Sequence, residues 1–251
     1  MQLIRNRISV AALVLALASL AAAPGRAVTI YTGSSGNLSA QAQFDLSGST
    51  LTITLTNTSA ADVLVPSDVL TGLFFDATHT LTPVSAGLNG SALVYGSVVN
   101  NVGEGWQYKG GVSAQGKNAG ISAAGLGIFG PKGNFYTTGT TLGGLDYGIL
   151  SAGDDTSTGN TGVTGKGPLI KNALVFTLTA ASGFSLDELG DSVVFQYGTD
   201  TSEPHFLGTL PPKTTGGDPP AAVPEPAAYQ WALVMGLFGL GWFVTARRRL
   251  A

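Results

Sequence analysis

Cysteine is absent from all 251 residues. No disulfide can brace this chain, so its stability must come from a core, and a stretch of about 200 residues is long enough to bury one. Arginine is present but missing from the body: the six arginines are Arg5, Arg7, Arg26, Arg247, Arg248 and Arg249. Between Val28 and Pro226 stand six lysines and fifteen carboxylates, a net charge of −9. Such a surface repels phosphate backbones and anionic headgroups, which excludes nucleic-acid partners and disfavours lipid docking by the body. Histidine is scarce too, with only His79 and His205, and neither a GxSxG elbow nor an HExxH pair occurs. No repeat of fixed period is present, which argues against a solenoid.

The apolar runs lie at the two ends. Arg5 and Arg7 precede ISVAALVLALASLAAA, and Pro24-Gly25-Arg26-Ala27 follows. A basic start, an apolar middle and a small-x-small site describe a secretory signal peptide. Gly25 and Ala27 fill the small positions, so cleavage is expected after Ala27, with Ala23 as second choice; an uncleaved anchor is the other reading of this stretch. At the far end, 227–246 is a run of 20 residues without a charge, bounded by Trp231 and Trp242 near its two limits. That length matches the ~20 apolar residues a helix needs to cross a bilayer, with tryptophan at the headgroup level. Arg247, Arg248 and Arg249 then hold this end in the cytoplasm by the positive-inside rule.

Just before the apolar run stands Val223-Pro224-Glu225-Pro226. The two prolines stiffen the approach and delay the helix, which places Glu225 at the membrane face. A sortase substrate would need LPxTG, but Leu210-Pro211-Pro212-Lys213-Thr214 puts lysine where threonine is required. Motif, apolar run and arginines together resemble the PEP-CTERM sorting domain over Val223 to Arg249. The resemblance implies processing at or near Pro224-Glu225-Pro226 by exosortase, a membrane-embedded cysteine protease. It also implies a Gram-negative producer of exopolysaccharide and a place at the cell surface or in a biofilm matrix. In the body, GEGWQYKGG, ISAAGLGIFGPKGNF and LGGLDYGILSAGDD are similar to a group of exosortase-dependent surface proteins with no established activity.

Period-two alternation dominates the body. Leu51, Ile53 and Leu55 alternate with Thr52, Thr54 and Thr56, and Leu174, Phe176 and Leu178 repeat the pattern, as do Val193, Phe195 and Tyr197. Further strands are expected at Val28 to Tyr31, Gln43 to Leu46, Leu70 to Phe75 and Leu93 to Val99. Many short strands separated by Gly, Asn, Asp, Ser and Pro predict an antiparallel β-sandwich. FSLDELGD can hold one helical turn, capped by Ser185 with Glu188 three residues on. The Gly-rich stretch 110–167 fits either irregular strands with long loops or a partly mobile insert. The expected organisation is a signal peptide at 1–27, a secreted β-rich domain at 28–209, a Pro/Gly/Thr-rich stalk at 210–222 and the sorting signal at 223–251.

Five motifs bear on chemistry. Gly125, Gly127 and Gly130 have dinucleotide-loop spacing, but Pro131-Lys132-Gly133-Asn134 breaks the helix that loop must open, so no nucleotide is expected. Asp154, Asp155, Ser157 and Asn160 place oxygens as a calcium loop does. The sixth position from Asp155 is Asn160 and the twelfth is Lys166, which excludes an EF-hand. A looser calcium site would need Asp154 or Asp155 joined to another loop; the simpler alternative is a solvated turn, and no metal is expected. Carboxylates for glycoside hydrolysis could be drawn from Glu104, Asp146 and Asp154, but nothing selects them over surface acids. His205 has Asp200 and Glu203 nearby without a serine motif. Trp106 and Tyr108, beside Glu104, could stack on a sugar or pack into the core. The expectation is a non-enzymatic surface protein without cofactor, structural or adhesive in exopolysaccharide or biofilm. Its partners would be exosortase, the inner membrane through the unprocessed C-terminal helix, and exopolysaccharide. A carbohydrate-binding module and a secreted hydrolase are the alternatives.

Overall fold

The computed structural model describes residues 26–212, apart from 89, 96–101, 137–141 and 166. The signal-peptide run, the stalk from 213, Pro224-Glu225-Pro226, the apolar run 227–246 and Arg247 to Arg249 lie outside the described residues. Among the described residues no helix is long and apolar enough to cross a membrane.

The described residues form thirteen strands. They are β1 (Arg26–Ser35), β2 (Leu38–Ser47), β3 (Thr50–Asn57), β4 (Leu70–Phe75), β5 (Leu81–Gly87), β6 (Ala92–Val94) and β7 (Gln107–Ala114). The second group is β8 (Lys117–Ser122), β9 (Ile149–Leu150), β10 (Leu169–Lys171), β11 (Ala173–Ala180), β12 (Ser192–Tyr197) and β13 (His205–Thr209). The chain is mainly β, and its ladders join into one sheet in the order β5-β11-β3-β2-β1-β13-β12-β4-β9-β10-β6. β4 also carries β8 and, through it, β7, so the sheet forks there. Every described pairing is antiparallel except β9 with β10, where Ile170 faces Ile149 in a parallel register. The sheet is therefore mixed, not purely antiparallel.

Alternation decides which face is buried. In β3, Leu51, Ile53 and Leu55 are fully buried while Thr52, Thr54 and Thr56 face outward in part. β11 repeats this with Leu174, Phe176 and Leu178. Side chains from strands distant in the sheet meet in one core: Phe44 of β2 meets Phe75 of β4 edge to face at 5.4 Å, and Phe176 lies 5.0 Å from Trp106. Edge-to-face contacts of this kind add about 0.5–1.5 kcal/mol beyond the burial itself.

β12 breaks the expected one-wet-face pattern. Val193, Phe195 and Tyr197 face the main core, but Val194 is buried too, in a second cluster with Phe74, Val112, Ala124 and Leu126. The β7–β8 hairpin and the turn after it cover this face. Region 110–167 thus contributes strands β7, β8 and β9 and the loops between them. The hairpin turn at Gln115-Gly116 has positive φ at both residues, +54° and +73°, the twist that matches neighbouring strands. Gly120 lets the Phe74 ring lie flat on β8: a Cβ there would fall 2.6 Å from Phe74 Cδ1.

The helical turn at 186–189 forms as one 3-10 turn. The Ser185 N–H donates to Glu188 Oε1 at 3.3 Å. β13 ends at Thr209, with Leu210 between it and Pro211 and Pro212, which have no N–H to continue a ladder.

Candidate functional site

A cleft of about 330 Å³ opens between the short 3-10 turn Gly103–Gly105 and the turn around Tyr147. Glu104, Gly105, Ala123, Leu142, Asp146 and Tyr147 line most of it. Tyr147 is its centrepiece, and its backbone is unusual, with φ at +64°. A non-glycine residue holds that conformation only when its surroundings enforce it. Here the Tyr147 N–H donates to the Pro168 carbonyl, and the Tyr147 carbonyl accepts the indole N–H of Trp106 at 3.0 Å.

The ring of Tyr147 lies against the backbone of Gly105. A Cβ at Gly105 would fall 2.0 Å from Tyr147 Cδ2, so only glycine permits this approach. The Tyr147 hydroxyl donates to Glu104 Oε1 at 3.1 Å. The side-chain amide of Asn134 in turn donates to the Glu104 carbonyl at 3.0 Å, which fixes the turn that carries the carboxylate. Burial, then the hydrogen bond to Glu104, pushes the Tyr147 hydroxyl upward. Asp146 packs over Gly167, and burial raises its carboxyl above the ordinary range.

The cleft joins two of the three carboxylates singled out in the sequence, Glu104 and Asp146. It leaves Asp154 elsewhere. Asp154 is buried beneath the loop at 61–64, where its Oδ1 accepts the Val63 N–H at 2.7 Å, and burial raises its carboxyl. Asp155 turns back on its own loop and accepts Ser157 N–H and Oγ–H at 3.0 and 2.7 Å, which lowers its carboxyl. Among the described residues no group of three metal-ligating side chains occurs, and the Asp155 loop is an ordinary Asx turn.

Trp106 and Tyr108 stand two apart on extended chain, so they share a face, and that face is the core. Trp106 is 0% exposed, with its ring against Phe176, and leaves no face for a sugar. Tyr108 is 9% exposed and stacks on Phe75; burial pushes its hydroxyl up to about 12. Of the two placements open for this pair, both side chains pack into the core, and Trp106 donates its indole N–H to the Tyr147 carbonyl.

No family model, curated protein or solved structure matches the chain.

The remaining motifs also find structural roles. Gly125, Gly127 and Gly130 lie in a tight turn without a helix, with Leu126 and Gly127 at positive φ. His205 Nδ1 sits 2.9 Å from the Glu203 carbonyl, and the Glu203 carboxylate accepts the Asp200 N–H at 2.8 Å, so this group closes a turn. Tyr147 escaped the sequence reading because its neighbours in sequence, Leu-Asp-Tyr-Gly, look like any loop. Its partners Glu104 and Trp106 are some forty residues away and are brought in only by the β7 strand and the 103–105 turn.

Proposed function

We propose that the protein is an exported surface protein, sorted by exosortase and structural or adhesive in an extracellular polysaccharide matrix. The observation that carries this reading is the ordered tail: Pro224-Glu225-Pro226, a charge-free run at 227–246, and Arg247 to Arg249. A signal peptide ending at Ala27 and a body lacking arginine and carrying −9 agree with export. The antiparallel pairing of β1 with β13 adds support, since Thr32 faces Thr209. β13 therefore ends pointing toward the side of the sheet on which β1 begins, opposite Thr32. We read the body as a sandwich-like β-module presented by its stalk.

Mass spectrometry of the surface fraction tests this proposal. The mature protein should lack Trp231 and Trp242. Glu225→Ala should leave an intact precursor in the inner membrane, because the run still inserts while processing is impaired. Replacing Arg247, Arg248 and Arg249 with serine should instead cause partial slippage or mis-insertion. A surface form that still contains both tail tryptophans would make the segment a permanent anchor and end the sorting hypothesis.

A further inference from the structure

We propose that the cleft between Glu104 and Tyr147 holds one sugar ring of a non-anionic polysaccharide. The inference rests on the matrix role above for where such a ligand would be met; its chemistry comes from the cleft.

Size comes first. At about 330 Å³ the cleft falls at the lower end of the range of small-ligand sites, about 300–1,000 Å³. The cleft is open, which suits one unit of a chain whose neighbours continue along the surface. Its lining is mixed, with Ala123, Leu142 and Pro168 on the apolar side. Sugars are mixed in the same way, with C–H faces that pack on rings and apolar groups and with hydroxyls that need partners. The half-buried ring of Tyr147 supplies an aromatic surface, and Glu104 and Asp146 supply acceptors at the rim.

The polar groups choose among saccharides. An ionised carboxylate only accepts, and its two oxygens offer about four lone-pair sites. Tyr147 O–H occupies one on Glu104, so the carboxylate retains capacity for ligand hydroxyls. No lysine, arginine or histidine is among the described residues lining the cleft. A uronate or phosphate-bearing unit would therefore meet Glu104 and Asp146 with no cation among the described lining residues to offset them, whereas a neutral or amino-substituted unit would not face that repulsion.

The site is also held in advance of binding. Trp106 N–H and the Pro168 carbonyl fix the Tyr147 backbone on both sides, Gly105 seats its ring, and Asn134 fixes the Glu104 turn. A preformed acceptor and ring lose little freedom when a ligand arrives. Trp106 is a positioning residue in this arrangement, not a contact.

Isothermal titration calorimetry on the full chain in detergent, with oligosaccharides of glucose, glucosamine and glucuronate, decides the matter. The glucose or the glucosamine oligomer should bind, and the glucuronate oligomer should not. Tyr147→Phe removes one hydroxyl while keeping the ring, and Glu104→Gln changes an exposed side chain; each should weaken binding by about tenfold with the thermal midpoint nearly unchanged. Binding of glucosamine alone, lost in Asp146→Asn, assigns recognition to an ammonium; equal binding of glucose assigns it to the hydroxyls. Failure of both oligomers to bind, equal binding of glucuronate, or binding indifferent to Glu104→Gln and Tyr147→Phe overturns the proposal. Saccharide binding by a protein whose tail is never processed would uphold the cleft and reject the sorting reading. Processing without binding would do the reverse.

Discussion

Nδ1 of His79 lies 2.6 Å from Glu188 Oε1, joining the strand connection after β4 to the 3-10 turn before β12. The same carboxylate accepts the backbone N–H groups of Thr78 and His79 at 2.8 and 3.0 Å and the Thr78 hydroxyl at 2.6 Å. Burial alone would raise its carboxyl, but these bonds outweigh it and hold the group at about 2, against an ordinary 4.5. A depressed folded value means the stabilisation is full above about 4.5 and is lost as pH falls toward about 2. Glu188→Gln should flatten that acid limb and, near neutrality, lower stability by about 1–2 kcal/mol. Thermal melts from pH 7 to pH 2 check both effects.

Trp106 is fully buried and bonded through its indole nitrogen. Trp106→Ala should cost about 3–5 kcal/mol through the cavity it leaves. Trp106→Phe should cost less in packing but free the Tyr147 carbonyl. Urea unfolding gives the two energies. Proton NMR should show the Tyr147 ring signals shifting in Trp106→Phe.

Gly105→Ala places a methyl where the Tyr147 ring now sits. Ring or turn must move, at a cost of about 1–3 kcal/mol. The expected result is a stable but shifted fold, with a lower denaturation midpoint and an altered Tyr147 environment in NMR spectra. An unchanged midpoint would show that the turn yields freely.

The strands with one wet face were legible from residue order alone. β3 and β11 follow their Thr–Leu alternation almost residue for residue, because water on one side and core on the other impose period two. β12 did not reveal its second buried face, since Val194 in sequence looks like any strand residue; what covers it comes from Val112, Ala124 and Leu126. β7 and β8 were hidden by glycines that serve ring packing and turns, as Gly120 does under Phe74. At the cleft, Glu104 and Asp146 could be named as acids but not paired, because the closure depends on a positive φ at Tyr147 that no local pattern requires.

Arg26 opens β1 and donates to Asp45 through Nε at 2.8 Å, while Val28 is the direct cross-strand partner of Asp45. Cleavage after Ala27 would remove the guanidinium and leave a new α-ammonium at Val28 beside the same carboxylate. N-terminal sequencing of the exported protein should therefore begin at Val28. Its ammonium should titrate above the ordinary range of about 7.7–8.0, since a nearby carboxylate favours the charged form. That raised value stabilises the fold below about pH 8 and is lost as pH rises through it. In Asp45→Asn the titration, followed by NMR, should return to the ordinary range; a first residue at or before Arg26 would show that Arg26 keeps its place.

The neighbouring antiparallel placement of β1 and β13 sets how the body responds to tension. A pull on Arg26 acts first at the open end of the β1–β2 ladder, where Arg26 faces Ser47, and reaches the β1–β13 pair, Thr32 with Thr209, only after the pairs from Arg26 to Tyr31 have opened. The hydrogen bonds then fail one after another, as in unzipping, instead of sharing the load as they would in shear. A pull between Thr209 and the cleft would follow a different line. It passes from β13 into β12 and β4, ladders with five and four paired residues, before reaching the loops around Tyr147.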